Sequence, residues 1–576
     1  MKKILIIVAV GIFLATTGIS VYAYQATTGP TELILWDSAK TCNSYVLFAP
    51  DGGETTYLIN MAGEVVHTWP KNGRWAELLD NGNILCTAYK SALPERITET
   101  DWDGNIVWQY TGEEIPDLRR IHHDQVRIFN TKLGQYTTLL TAEVYISYDE
   151  AVANGADPEC NIAPDRPGSL DWIIEVDMEG NIVWKWDAKD HMVQNYDPTK
   201  LNYGDPAAPE NWGKLDINAE YLGGHGMRLD WNHFNAMDYN PTLDQIIMSS
   251  RRHSEVVIID HSLSTEEAAG PAGDYIYRWG CPYLYGQGDV PTTIPISNGH
   301  TQLFGQHDIQ WIAEGLPGAG NLLVFENGQA RPTSCAHSSI YEINPYDGPM
   351  SNGVYIWQQD AGYTKTSRDG NLSNQVVWKF NSQDLGDGNN KAFYSQHQSQ
   401  TNRLPNGNTF MCGSEDGHFM QVTNEKEIVW DYVQPVLKNG NIVQILPVET
   451  NNGTRARCLS LDHPGLVGKD LTPQGTITGR PSATVEQLMA AGTANMTLTH
   501  ELTAAAEPGW VKISGAALLG ETPLCIMVLA NGEYMFTDAA DGEYELVVPL
   551  DESGQITLFG FADGFAPFTQ TFDGGI

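Results

Sequence analysis

Positive charge is scarce in this sequence. Lysine and arginine together number 33, against 71 aspartate and glutamate residues, which gives a formal net charge of −38 at pH 7. Proteins that bind nucleic acid present basic faces to the phosphate backbone, so this balance argues against nucleic acid as a partner. An anionic substrate would require a pocket that is locally basic within an acidic protein.

Metal-binding motifs are lacking as well. The cysteines show no CxxC pair and no adjacent pair, so neither a zinc site nor a thioredoxin motif is indicated. The histidines show neither HxH nor HExxH spacing, and we therefore predict no metal and no cofactor. Disulfides would be permitted in an exported protein, but their pairing cannot be read from eight scattered positions, which are Cys42, Cys86, Cys160, Cys281, Cys335, Cys412, Cys458 and Cys525.

Long helical periodicity is absent, and long apolar runs are confined to the first residues. The chain contains 56 glycines, 30 prolines and only 18% charged residues, a composition typical of many short strands and turns. The apolar run from Ile4 to Ile19 follows Lys2-Lys3 and precedes Ala23, which is the order of a secretory signal peptide. Residues 1–23 are therefore predicted to be a signal peptide, and the mature protein to be periplasmic or secreted without a later membrane span. An uncleaved anchor is the alternative.

One pattern recurs six times along the chain. It consists of an apolar strand, an acidic or Asn turn, usually a glycine, and then Ile/Val-Val-Trp or a close equivalent. Each copy predicts a β-hairpin with an aromatic residue at the end of its second strand. Four copies are regular and two carry insertions; they begin at Thr55, Ile97, Ile173 and Met420, and at Val256 and Ser339.

A second pair of strands follows each copy, as in WAELLDNGNILCTAY, so a unit has about four strands. Four-stranded units repeated around an axis form a β-propeller, and the count predicts an all-β fold with six blades over residues 31–466. A stack of sandwiches is the alternative. Pairing of Thr31–Trp36 with Thr454–Leu461 is predicted to close the propeller.

The repeat ends after Pro464. Residues 467–508 are predicted to be a linker, with one short helix candidate, VEQLMAAG. Residues 509–576 alternate apolar and polar positions and predict a small C-terminal β-sandwich, Ig-like in size. This segment contains no histidine, and we expect it to be accessory.

The fifteen histidines supply the candidate chemistry. His397, in FYSQHQSQ, lies just ahead of a Pro-Asn-Gly turn and a strand, and His307, in FGQHD, lies about as far ahead of a Gly-Asn turn. Histidines at the same place in successive repeats converge on one point if the repeats surround an axis. Neutral imidazoles together with arginines favour nucleophilic and acid–base chemistry on an oxyanion such as sulfate or phosphate.

Several long segments carry a resemblance to a known family. DWNHFNAMDYNPTLDQIIMSSRRHSEVVIID, YRWGCPYLYG, LFGQHDIQWIAEGLPGAGNLLVFENG and TRARCLSLDHPGL resemble the bacterial arylsulfate sulfotransferases, and the likeness spans roughly Thr31 to Leu466. The resemblance implies an exported six-bladed propeller that moves a sulfuryl group from a phenolic sulfate ester to an acceptor phenol. It also implies a ping-pong route through a sulfohistidine, without a nucleotide sulfate donor.

The resemblance also implies roles for individual residues. Carried over by motif, His397 is the nucleophile, His307 and His233 are its supporting histidines, and Arg331 of FENGQAR is the sulfate-binding arginine. His253 competes with His233 for the supporting role, and the residues predicted to bind substrate beside the catalytic set are His253, Arg252 and His123. The first blade is expected to begin almost directly after the signal, without the small N-terminal β-domain of enterobacterial members, and no cysteine pair matches their closely spaced disulfide. Acceptor range and oligomer contacts are therefore not carried over, and a homodimer is left open.

Two other functions compete with this interpretation. Quinoprotein dehydrogenases are propellers whose blades are also held together by Gly-x-x-Val-Trp repeats. That class is expected to have more blades, a Ca²⁺ site and often a vicinal disulfide. A non-catalytic exported propeller would bind glycans or proteins and use the sandwich as a second binding module. In that protein each pocket histidine could be replaced singly, whereas His397 would be indispensable to a sulfotransferase.

Overall fold

The fold was analysed in a computed structural model of the 576-residue chain. Strands dominate it, and the described residues include two short α-helices, Tyr148–Ala153 and Thr265–Ala268, each beginning with a capping box. The all-β prediction is confirmed. The structure describes residues 29–71, 73–87, 96–160, 162–219, 229–293, 296–297, 299–329, 331, 337–346, 355, 374–381, 384, 393–415, 417–443, 445–446, 455–479, 497–505, 510–519, 522–523, 527–530, 533–536, 543–550, 555–561 and 568–573.

The predicted hairpins form in all six copies of the repeat. The turn glycine has positive φ in the regular copies that contain one, for example Gly104 at 89° and Gly180 at 88°. In the copy that lacks the glycine, Lys426 takes the same place with φ of 72°. Asp177 shows why an acidic residue opens the turn, because its Oδ1 accepts hydrogen bonds from the backbone N–H groups of Glu179 (3.0 Å) and Asn181 (2.8 Å).

Six antiparallel sheets follow one another along the described chain, and we number them sheets 1 to 6. Sheet 1 contains, in spatial order, Ala456–Ser460, Ser44–Phe48, Thr55–Asn60 and Val65–Pro70. Sheet 2 contains Arg74–Leu78, Ile84–Thr87, Ile97–Thr100 and Ile106–Tyr110. Sheet 3 contains Leu118–Asn130, Gln135–Ile146, Gly168–Val176 and Ile182–Asp187.

The other three sheets repeat this order. Sheet 4 contains Phe234–Asn240, Gln245–Ser250, Glu255–Asp260 and Tyr277–Trp279. Sheet 5 contains His307–Trp311, Leu322–Glu326, Ser339–Ile343 and Val376–Asn381. Sheet 6 contains Gln400–Arg403, Thr409–Gly413, His418–Val422, Ile428–Val433 and a fifth strand, Glu32–Trp36.

Neighbouring sheets contact one another in cyclic order. The first strands of sheets 3 to 6 touch in sequence, and that of sheet 6 touches Ala456–Ser460 of sheet 1, which in turn contacts the first strand of sheet 2. A separate buried apolar cluster fills each gap, including the gap between sheets 6 and 1, where Phe48, Phe419 and Trp430 pack. Side chains on both faces of each sheet are therefore buried against a neighbour, which explains the runs of apolar residues in the middle strands.

The predicted closing pair is wrong. Glu32–Trp36 pairs with Ile428–Val433 at the outer edge of sheet 6, and Ala456–Ser460 pairs with Ser44–Phe48 in sheet 1. The two terminal segments therefore join different sheets and do not pair with each other. The local sequence of a terminal segment does not identify its partner strand, because backbone hydrogen bonds to an open sheet edge can be made by any apolar segment.

Short elements complete the described part of this region. Residues 1–23, the predicted signal peptide, lie outside the described residues, and no described helix has the length and apolar character needed to cross a membrane. Two-stranded pairs join Gly29–Pro30 to Ile445–Leu446, Met192–Val193 to Leu215–Asp216, and Thr292–Thr293 to Ile296–Ser297. Single 3₁₀ turns occur at Ala188–His191, Pro209–Asn211, Pro271–Gly273, Pro282–Tyr285 and Pro464–Leu466.

The C-terminal residues form two further sheets around one apolar cluster. Trp510–Leu519 pairs with Thr497–Leu498, Glu501–Ala504, Thr522–Pro523 and Glu543–Pro549. Met527–Ala530 pairs with Glu533–Phe536 and Gln555–Phe561, and the latter pairs with Phe568–Asp573. Two of these strands lie within the interval predicted as a linker, and the helix candidate VEQLMAAG lies outside the described residues. The cluster draws on both sheets, with Ile513 and Leu546 from one and Val528 and Ile556 from the other.

Candidate active site

A cavity of about 410 Å³ lies where the first strands of the sheets begin. Histidines and cations dominate its wall, while Trp75 and Ile121 supply large apolar surface. The lining residues are Asp51, Arg74, Trp75, Thr87, Arg120, Ile121, His122, His123, His233, Arg251, His307, His397, Gln398, Ser414, Glu415 and Lys438. The structure thus brings together four of the predicted site residues, namely His123, His233, His307 and His397.

The first strands carry a strained residue close to this cavity. Non-glycine residues with positive φ recur there, at Trp75 (54°), His123 (61°), His233 (50°), Asp308 (49°) and Gln398 (54°). The ladders of sheets 2, 3 and 5 skip register at the same places, as β-bulges do, and that of sheet 4 skips between Phe234 and Met237, just after His233. Each such residue costs about 1–3 kcal/mol and persists only because its surroundings hold it, and this kind of strain is concentrated at functional sites.

Acidic residues tie each strained segment to the next sheet. Oδ2 of Asp124 accepts a hydrogen bond from the backbone N–H of Met237 at 2.9 Å, and Oδ2 of Asp308 accepts one from Thr401 at 2.7 Å. Asp238 accepts in the same way from Trp311 at 2.8 Å. The His-Asp dipeptides of HHDQ and GQHD therefore serve two purposes, because the histidine lines the cavity while the aspartate fixes the neighbouring strand.

His397 lies at the exposed side of the cavity, as its sequence context predicted. Its side chain is 44% exposed, and its Nδ1 lies 2.5 Å from Oε1 of Glu415. A carboxylate accepts but does not donate, so Nδ1 carries the hydrogen and Nε2 keeps its lone pair. Nε2 lies 3.1 Å from the amide nitrogen of Gln329, and no short-range spacing in the sequence pointed to Glu415 or Gln329 as partners.

His307 is deeply buried, with 3% of its surface exposed. Its Nδ1 lies 2.8 Å from Oδ1 of Asn327, whose amide nitrogen donates to the carbonyl of Ser395 at 2.7 Å. Because the Asn327 nitrogen is committed to that carbonyl, its oxygen accepts from Nδ1–H, and Nε2 of His307 is left unprotonated. Burial, and next the charge of Arg251, lower the pKa of His307 well below its ordinary value.

His233 and His123 form a pair within the cavity wall. Their Nε2 atoms are 2.8 Å apart, and Nδ1 of His233 lies 2.7 Å from Oδ2 of Asp230. Burial disfavours charge on Asp230, yet the hydrogen bond from His233 and the charges of His233 and Arg252 hold its pKa well below its usual range. Burial lowers the pKa of His233 despite this carboxylate, and lowers that of His123 further.

His122 is a cavity residue that the sequence interpretation passed over. Its Nε2 lies 2.8 Å from Oδ1 of buried Asp171, and Oδ2 of Asp171 accepts from the backbone N–H of Phe234 at 2.6 Å. The carboxylate thus links the two strands that supply the three histidines 122, 123 and 233. The HHD motif contained this signal, because two adjacent residues of a strand can both face the cavity where a bulge interrupts the alternation of side chains.

Three predicted site residues do not line the cavity. Arg331 is buried and forms an ion pair with Glu326 at 2.5 Å, because a carboxylate in that interior position requires a cationic partner. His253 bonds through Nδ1 to Oγ of Ser250 at 2.9 Å and packs its ring edge against Trp231. Arg252 donates to Asp230 at 3.0 Å and therefore acts behind His233.

Other cations occupy the cavity wall. Arg251, one residue before the predicted Arg252, donates a hydrogen bond to the amide oxygen of Gln329, the same side chain that contacts His397. Arg74 pairs with Asp51 at 2.7 Å, Arg120 pairs with Glu143 at 2.5 Å, and Lys438 completes the set. This concentration of cations is the locally basic pocket that an anionic substrate requires in a protein of net charge −38.

These features define an all-β enzyme candidate whose site combines imidazoles with cations. The chain belongs to the arylsulfotransferase (ASST) family, whose model matches residues 22–412. The family resemblance seen in the sequence is thereby confirmed, and it assigns the protein to the sulfotransferases. A search of curated proteins found no match.

Several solved structures show a distant likeness to this chain. A protein of unknown function from Bacteroides caccae is 12% identical, with 72% of this chain and 99% of that chain covered and a TM-score of 0.33. The β-propeller domain of Myceliophteria thermophila Cps50 (Swd1) is 11% identical over 76% of this chain and 97% of its own, with a TM-score of 0.30. A streptogramin B lyase is 10% identical over 92% and 98%, with a TM-score of 0.25. TM-scores below 0.5 assign neither a fold nor an activity.

Proposed function

We propose that the protein transfers a sulfuryl group from a phenolic sulfate ester to an acceptor phenol through a covalent sulfohistidine at His397. The pairing of His397 with Glu415 carries this proposal, since it supplies an imidazole with a fixed Nδ1–H and a nucleophilic Nε2 beside cations. Family membership supports the class of reaction. A nucleotide sulfate donor has no role in this scheme.

In the first half-reaction, Nε2 of His397 attacks the sulfur of the donor ester. The N–S bond forms, the S–O bond to the aryl group breaks, and a phenolate leaves with the electron pair. The sulfonated imidazole retains its Nδ1 hydrogen and carries a positive charge, which the Glu415 carboxylate balances. Transfer of this kind passes through a loose transition state, so positioning and charge stabilisation dominate catalysis.

Protons move through a second histidine. Of the two supporting histidines, His233 is the better carrier, because Asp230 stays ionised beside its Nδ1 and favours a proton on the ring. His307 has its Nδ1 committed to Asn327 and a pKa well below its ordinary value. His233 would protonate the leaving phenolate and then take the proton of the acceptor phenol, whose oxygen attacks sulfur and breaks the N–S bond.

Arg251 is the cation that we propose for the sulfuryl oxygens. It lines the cavity with His397 and His307 and is linked to His397 through Gln329. A guanidinium presents a planar fork that matches two oxygens of a sulfate group. Arg331, implied by the family resemblance, is committed to Glu326 and would act on this region only indirectly.

The scaffold of this site is proposed to be a six-bladed propeller followed by a β-sandwich. The cyclic contacts among sheets 1 to 6 support the first part, and the shared apolar cluster of the two C-terminal sheets supports the second. Export to the periplasm or the medium, guided by residues 1–23, remains part of the proposal.

Rapid-quench mass spectrometry of the protein with a chromogenic aryl sulfate tests the mechanism. With no acceptor present, we expect one SO₃ group on the peptide containing His397, and added phenol should remove it. His397→Ala should lose the adduct and the phenol-dependent release, while His253→Ala, which alters a histidine outside the cavity, should retain both. Phenol-dependent release without a histidine adduct would refute the covalent route, and no release with any phenol would refute the transferase.

A further inference from the structure

The three histidines 122, 123 and 233 share a feature that the transfer scheme does not use. One ring nitrogen from each lies within 4.8 Å of the other two. The residues come from sheet 3 and from the entrance of sheet 4, so only the fold brings them together. We propose that they form a binding site for a divalent late transition-metal ion of the Ni²⁺ or Cu²⁺ class.

Carboxylates stand behind two of the three imidazoles. Asp171 holds Nε2 of His122 and Asp230 holds Nδ1 of His233, at 2.8 Å and 2.7 Å. Metal-binding histidines characteristically donate their second N–H to such a group, which fixes the tautomer and makes the free nitrogen a better donor. In His122 this leaves Nδ1, which is buried without a hydrogen-bond partner.

The close approach of two nitrogens favours particular ions. Nε2 of His123 and Nε2 of His233 are 2.8 Å apart, and two nitrogens at that separation, each about 2.0–2.1 Å from one ion, would subtend roughly 85° there. Such an angle suits tetragonal or octahedral ions and is narrower than the tetrahedral arrangement of structural zinc. Imidazole is a suitable ligand for both Cu²⁺ and Ni²⁺.

The cavity wall is basic overall, but a cation is permitted at the three histidines because carboxylates lie directly behind two of them. Asp171 and Asp230 supply negative charge directly behind the ligands, while Arg252 is already paired with Asp230. A hydrogen bond between Nε2 of His123 and Nε2 of His233 requires one proton between them, and a bound ion would take the place of that proton.

Binding is measured without substrate, so its failure is separate from failure of sulfuryl transfer. Untagged protein is titrated with Ni²⁺ by calorimetry, and Cu²⁺-loaded protein is examined by electron paramagnetic resonance for nitrogen hyperfine splitting. We expect one ion per chain and coupling to more than one nitrogen. His123→Gln and His233→Gln should each weaken Ni²⁺ binding at least about tenfold, and Asp230→Asn by about 10–100-fold.

His397→Ala is the matched control, because it removes a histidine from the same cavity but not from the three ligands. It should bind Ni²⁺ as the wild type does. Equal affinity in all variants would place the ion on other side chains, and no stoichiometric binding of either ion would remove the site; both results overturn the proposal. Asp230→Asn keeps the side-chain volume and all three imidazoles, so the test does not depend on a histidine variant that fails to fold.

Discussion

Oε1 of Glu415 lies 2.5 Å from Nδ1 of His397, although 18 positions separate the two residues. His397 precedes strand Gln400–Arg403 and Glu415 follows strand Thr409–Gly413, so the hairpin between these strands brings its two open ends together. His397, the proposed nucleophile, and its carboxylate partner thus belong to one hairpin. The hydrogen bond between them therefore depends on the correct formation of that hairpin.

Glu415→Gln should reduce kcat by roughly 100-fold with little change in KM. The amide still accepts from Nδ1–H, but it no longer balances the positive charge of the sulfonated ring. Steady-state kinetics with an aryl sulfate and phenol measure this, and Glu427→Gln, in an exposed pair with Lys40, is the matched control. A rise in KM at constant kcat would show that Glu415 binds substrate instead.

Arg251→Lys should lower kcat/KM at least about tenfold while leaving Tm unchanged, because lysine keeps the charge but loses the planar fork. The wild type and the variant are compared by their kcat/KM for sulfate esters and by their affinity for inorganic sulfate as a competitive inhibitor. We expect both quantities to fall together in the variant. Unchanged inhibition by sulfate would contradict the assignment of the sulfuryl oxygens to Arg251.

Arg331→Met should act on stability. It leaves the buried carboxylate of Glu326 without its ion-pair partner, which costs about 3–5 kcal/mol. Thermal and urea unfolding measure the loss. If the variant kept full stability but lost turnover, Arg331 would instead be a substrate-binding residue, as the family resemblance implies.

The free energy of unfolding should depend on pH through His261. Burial opposes its charge, but hydrogen bonds to Glu175 and Asp244 raise its pKa above the ordinary value. The stabilisation is therefore fully present below the unfolded pKa of about 6.5 and is lost as pH rises through the folded pKa. Urea unfolding should show His261→Gln about 3 kcal/mol less stable than the wild type at pH 6, and closer to it at pH 8.5. A gap that widens with pH would refute this.

Added Ni²⁺ should slow sulfuryl transfer. An ion on Nε2 of His233 leaves that ring without a nitrogen for proton transfer, because Nδ1 is held by Asp230. Turnover is followed during Ni²⁺ titration and after addition of a chelator, which should restore the rate. Inhibition of equal size in Asp230→Asn, which is expected to bind Ni²⁺ weakly, would mean that the ion acts elsewhere.

Local signals predicted the hairpins and the exposed position of His397. The turn sequence Asp-x-x-Gly specifies both the hydrogen-bonding aspartate and the residue with positive φ within four positions, so pairs such as Ile97–Thr100 with Ile106–Tyr110 could be read directly. His397 was predicted for the same reason, since a Pro-Asn-Gly turn fixes where its strand begins. No knowledge of distant residues was needed.

Partners across the fold were not predictable in this way. Glu326 and Arg331 form an ion pair because both are buried, and the sequence FENGQAR does not show that burial. Likewise, the sequence does not show that Arg251 lines the cavity while Arg252 pairs with Asp230. The closing strand was assigned to the wrong neighbour because register between distant segments depends on the sheets already formed. His123 and His233 were both predicted as site residues, but His122 and the grouping of all three were not, because His122 and His123 are adjacent and His233 lies 110 residues beyond His123.

The strand Ala456–Ser460 completes sheet 1 and lies beside the first strands of sheets 2 and 6. During synthesis, sheet 1 therefore waits for a segment made almost 400 residues after its other strands, which begin at Ser44 and end at Pro70. That strand contacts the first strand of sheet 6 on one side and the first strand of sheet 2 on the other. We therefore expect the cyclic contacts among the sheets that surround the cavity to be complete only when this late strand is in place.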